Sequence, residues 1–103
     1  MKQFDVYRNP DAKAARIRPY VVILQSDFLS IVETVVVAPL ASAVRAKPIV
    51  RLTPLLDVAG VQYAIYVHDM AAIPRALLKR KVVSAAAKRD EIVAALDLVF
   101  HGF

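Results

Sequence analysis

The chain has 103 residues, 58% of them apolar, no cysteine and a formal net charge of +5. This is one domain, residues 1–103, with a core of its own, and the composition excludes a disordered chain, a disulfide framework and a thiolate metal site. Met1 to Asp5 lacks the apolar core of a secretion signal, and the run from Thr34 to Val44 is too short for a bilayer and is broken by Pro39, so a cytoplasmic protein with no membrane role is expected.

Gln3-Phe4-Asp5-Val6-Tyr7 alternates polar and apolar residues, the pattern of a half-buried strand. Arg8 to Lys13 carries turn chemistry around Asn9-Pro10-Asp11. Arg16 to Leu24 ends in an unbroken β-branched run and reads as a central strand, with Pro19 near its start. Gln25-Ser26-Asp27 ends that strand and leaves two apolar residues, Phe28 and Leu29, in a loop. A third strand runs from Glu33 to Ala38, closed by Pro39, and Leu40 to Lys47 reads as a short helical turn. Ile49–Val58 and Val61–His68 flank Ala59-Gly60 as the arms of a hairpin. Asp69 to Pro74 reads as an irregular link, Arg75 to Leu78 as one more strand, and Lys79-Arg80-Lys81 as a solvated basic loop.

The last stretch, Ser84 to Phe103, has helical periodicity, with Ile92, Leu96, Val99 and Phe103 spaced by four, three and four. Ala94, Ala95 and Leu98 cover a second face and Phe100 widens the first. A helix so widely apolar, packed on a small sheet, keeps apolar surface for a partner. Ser84 is the expected N-cap, with Lys88 and Arg89 opposing the dipole there, and Gly102 suits the left-handed position that closes a helix. The sum is an α+β domain: a small, antiparallel, partly closed β-barrel of five or six strands with one C-terminal helix.

The residues of ordinary catalysis are missing. No serine sits in a glycine elbow, two glycines cannot build a phosphate loop, and His68 and His101 have neither a paired nucleophile nor metal-ligand spacing. No catalytic residue, cofactor or metal is therefore expected. Asp97 is the one carboxylate set among the apolar residues of the helix end, which suits either a solvated side chain or a partner contact.

Five blocks of the sequence, in order, resemble the CcdB toxins of bacterial type II toxin–antitoxin modules. They are Gln3-Phe4-Asp5-Val6-Tyr7, Gln25-Ser26-Asp27, Pro39-Leu40-Ala41-Ser42-Ala43, Asp69-Met70-Ala71-Ala72-Ile73-Pro74 and Leu98-Val99-Phe100-His101-Gly102-Phe103. The resemblance implies a barrel of the CcdB/MazF-like, SH3-like class and a homodimer. It also implies a non-enzymatic poison that binds DNA gyrase A, traps the gyrase–DNA cleavage complex and is neutralised by a CcdA-like antitoxin with an acidic arm. DNA is then met only through gyrase or the antitoxin. Carried onto this chain, the gyrase contacts fall on Phe28, Leu29, Asp97, Phe100, His101, Gly102 and Phe103. One departure stands out: the family's Trp before the terminal Gly is His101 here, a smaller and more polar ring.

Two other readings remain. Arg16-Ile17-Arg18-Pro19 before an apolar strand is similar to the MazF mRNA endoribonucleases, and the positive charge suits RNA, although the glycine-rich loop of that family is absent. A non-toxic relative that binds only its antitoxin is the other, motivated by His101.

Overall fold

A computed structural model describes residues 1–102. The strands are β1 (Asp5–Arg8), β2 (Tyr20–Ile23), β3 (Thr34–Ser42), β4 (Leu55–Val58), β5 (Val61–Ile65), β6 (Ala71–Pro74) and β7 (Lys81–Ser84), followed by helix α1 (Arg89–His101). Their hydrogen-bonded order is β4-β5-β3-β2-β1-β7, with β6 on β3, and the pairings are antiparallel.

β3 curls the sheet. Its first half pairs with β6 (Val37 opposite Ala71) and its second half with β5 (Leu40 opposite Ile65), so both partners share one edge. Pro39 sits between the two halves. Its carbonyl accepts from the Tyr66 N–H on that edge, so its missing N–H also falls there, where β3 changes partner and no ladder bond is required. The expected third strand therefore does not end at Pro39 but continues to Ser42, and the expected helical turn from Leu40 gives way to strand.

Both faces of the curled sheet are covered. Val6, Val22, Ala38, Leu40 and Ile65 point to the side where Ile92 and Ala95 of α1 close the main core. Tyr7, Val21, Ile23, Val35 and Val37 point the other way and pack with Leu78 in a second, smaller cluster. β1 is accordingly buried along Asp5, Val6 and Tyr7 and is not the half-exposed strand that its alternation suggests. Phe4 takes a positive φ of 70° just before it and lies in the main core.

Three further expectations need correcting. Ile49 to Pro54 is loop, held by Thr53, whose buried hydroxyl accepts from the Ile49 N–H at 2.7 Å and donates to the Ile49 carbonyl at 3.1 Å. The supposed link holds β6, while Arg75–Leu77 is a 3-10 turn and not a strand. Lys81 belongs to β7 and reaches the buried Asp5 carboxylate at 3.4 Å. Among the described residues no helix is long and apolar enough to cross a membrane.

Candidate protein-docking surface

The approach to α1 is built in two steps. Ser84 ends β7, and its hydroxyl accepts from the Ala86 N–H at 3.1 Å, opening a 3-10 turn over Ala86–Lys88. The helix proper starts at Arg89 with Lys88 at its N-cap position, so Ser84 stands before the entry turn and is not the N-cap of α1. Asp90 and Glu91 occupy the first turn, where carboxylates complement the dipole, and Glu91 lies 3.6 Å from the Lys88 ammonium.

From there α1 lays one face on the sheet and on the Val67–Asp69 turn. Ile92 and Ala95 are fully buried, and Leu96 packs partly against the same core. Val99, a further turn along that face, is 37% exposed, so the helix runs past the core it packs on. Phe100 is 65% exposed, while Asp97 and His101 are also on the surface. Gly102 closes the helix at φ 81°, with its N–H donating to the Leu98 carbonyl at 3.0 Å. Phe103 lies outside the described residues.

The second expected contact site is the loop after β2. Gln25 uses its side-chain amide as a piece of strand, accepting from the Val36 N–H at 3.2 Å and donating to the Thr34 carbonyl. The Ser26 hydroxyl accepts from the Phe28 N–H, and Asp27 accepts from the Gln3 N–H at 2.7 Å. The Gln-Ser-Asp block is thus the scaffold of a short turn, Asp27–Leu29, that pushes Phe28 into solvent at 95% exposure and Leu29 at 48%. Within one chain the described contacts do not join this loop to the end of α1: Phe28 borders Gln3, Ser26 and Asp27, and α1 packs on the far turn.

Sequence reasoning missed part of the apolar surface. Ile31, Val44 and Val50 are 93%, 93% and 87% exposed, and the available signal was β-branched residues placed in loops. A groove of about 510 Å³ runs between the Pro48–Leu55 segment and α1, with Arg51, Lys88 and Glu91 on it. The remaining polar constellation surrounds Asp69. Its carboxylate bonds Arg18 at 2.8 Å and lies 3.9 Å from His68 Nε2, while Arg18 sits 5.4 Å over the Tyr66 ring. Among the described residues no three His, Asp or Glu side chains gather as a metal site would require.

A family model described as CcdB protein matches residues 3–102. The chain belongs to the CcdB family. No curated protein matches significantly. Several solved structures share the fold. An endoribonuclease from a mycobacterial species, in complex with its cognate antitoxin, superimposes with a TM-score of 0.76 at 13% identity over 96% of this chain and 93% of that one. The Mycobacterium tuberculosis toxin MazF-mt6 gives 0.71 at 18% identity over 96% of both chains. A further Mtb toxin gives 0.67 at 22% identity over 81% of this chain and 92% of that one. At such identities the likeness is one of architecture: a curled antiparallel half-barrel with a C-terminal helix, as the sequence pattern indicates.

Proposed function

We propose that this CcdB-family chain is the toxin of a type II toxin–antitoxin module, acting by binding DNA gyrase A through the end of α1 and the Phe28 loop. The observation that carries this is the overhang of α1. The face sealed at Ile92 and Ala95 is open at Val99, and Phe100 beside it is mostly exposed. Large apolar and aromatic groups left outside a complete core are typical anchors of a protein interface. The contact residues are Phe28, Leu29, Asp97, Phe100, His101, Gly102 and Phe103. In a homodimer two such tips form a symmetric surface suited to a symmetric target.

The second partner is a CcdA-like antitoxin with an acidic arm. The net charge of +5 and Arg51 on the groove support that reading, although Lys88 there is already paired with Glu91. Expression in gyrase-sensitive cells tests the function: growth arrest with gyrase-dependent DNA cleavage is expected, and normal growth without binding to gyrase A would end the reading.

The fold shared with an endoribonuclease and the Arg18–Tyr66–His68–Asp69 constellation favour one competing reading, cleavage of RNA. Arg18 is held by Asp69, which leaves its charge largely answered. Incubation of purified protein with RNA decides between the two, since defined fragments require the nuclease.

A further inference from the structure

The loop from Asp27 to Glu33 presents Phe28 and Ile31 at 95% and 93% exposure, with Leu29 and Val32 at 48% and 42%. No side chain of this stretch is in either core cluster, and Leu29 and Val32 are only about half covered. What holds its carbonyl end is Arg75, in the turn that follows β6. The Arg75 N–H donates to the Glu33 carbonyl at 2.8 Å. Its Nε donates to the Val32 carbonyl at 3.0 Å, and Nη2 to the carbonyls of Leu29 at 3.2 Å and Thr34 at 3.5 Å. Nη1 lies 3.1 Å from the Met1 sulfur. The loop's own bonds run from the N–H groups of Leu29, Ser30 and Val32 to the carbonyls of Ser26, Asp27 and Leu29. The Val32 carbonyl receives none of these bonds, and the Arg75 guanidinium, with five donors in a rigid fork, reaches it together with the carbonyls of Leu29 and Thr34, which also accept from Val32 and Gln25.

We propose that Arg75 is a positioning residue that fixes this loop in one shape, so that Phe28 and its neighbours meet gyrase A as a preorganised surface. The binding part of this inference rests on the gyrase reading above. A loop ordered beforehand loses less entropy on association, and the gain should show in affinity.

The test combines amide hydrogen exchange on the free, full-length protein with a double-mutant cycle. In Arg75→Ala the amides of Leu29, Ser30 and Val32 should exchange at least about tenfold faster, while those of Leu24 and Val36 in the sheet stay unchanged. Arg75→Lys, which keeps the charge but not the fork, should fall between the two and covers the case in which the alanine variant does not fold. Against gyrase A, Arg75→Ala should weaken binding by roughly three- to tenfold, and with Phe28→Ala already present that further loss should fall below about twofold. Unchanged exchange in Arg75→Ala, full protection in Arg75→Lys, or additive losses in the cycle would each overturn the proposal. If the unaltered protein does not bind gyrase A, the gyrase reading falls, and the exchange rates still decide whether Arg75 fixes the loop.

Discussion

Ala95 and Val99 are neighbours on one face of α1, a turn apart, yet Ala95 is sealed from solvent and Val99 is 37% exposed. The core ends between them. Ile92 and Ala95 serve the fold and Leu96 still packs partly on the core, while Val99 and Phe100 lie on the surface beyond it. The separation makes the two roles experimentally distinct.

Phe100→Ala should change folding stability by less than about 0.5 kcal/mol, because the ring is 65% exposed already. Ile92→Ala, which empties a fully buried site in the main core, should cost about 2–5 kcal/mol. Urea denaturation of the two variants checks the contrast. Equal losses would mean that the end of the helix is part of the core.

The β4–β5 hairpin turns through Ala59 at φ 52° and Gly60 at φ 81°. The first of these positions strains any residue with a Cβ. Ala59→Gly should therefore stabilise the protein by about 0.5–1 kcal/mol, the relieved strain exceeding the added freedom of the unfolded chain. A denaturation midpoint that drops would contradict the turn geometry.

The basic run after the Arg75 turn is not uniform. Asp5 is 4% exposed, with Lys81 at 3.4 Å and the Lys2 N–H at 2.9 Å as its partners. Lys81→Ala leaves a buried carboxylate poorly answered and should cost about 1–3 kcal/mol. Lys79→Ala, at an exposed position, should stay within about 0.5 kcal/mol of the unaltered protein. Thermal melts of both variants at neutral pH make the comparison.

Tyr63 packs edge-on against Tyr20 at 5.3 Å, and burial, with the neighbouring Tyr20 hydroxyl, raises its pKa above the ordinary tyrosine value. The folded protein then holds that proton more tightly than the unfolded chain. The associated stability is complete below the unfolded value of about 10 and is lost as pH rises through the folded one. Tyr63→Phe should flatten the fall in stability as pH rises above the ordinary tyrosine value of about 10. Parallel alkaline profiles for the two proteins would show that Tyr63 does not titrate differently on folding.

Much of this architecture was legible from residue pattern. The β-branched run of β2, the Ala59-Gly60 turn and the Gly102 cap follow from local chemistry and stand where they were expected. β6 was not legible. Ala-Ala-Ile-Pro has little strand preference of its own and becomes a strand because β3 offers an open edge before Pro39. Nor was the span of β3 legible, since whether a proline breaks a strand depends on which edge its missing N–H faces. The Phe28 loop and the apolar end of α1 could be found as unusual residues in unusual places. That Arg75 braces the former could not, because 43 positions separate it from Val32.

The most direct measurement is a titration of gyrase A with the full chain, with Phe100→Ala, and with a chain lacking His101, Gly102 and Phe103. Binding by the full chain is expected, with about a tenfold or greater loss in each variant and unchanged folding stability for Phe100→Ala. Equal affinity in all three, or no binding by the unaltered protein, would contradict that expectation.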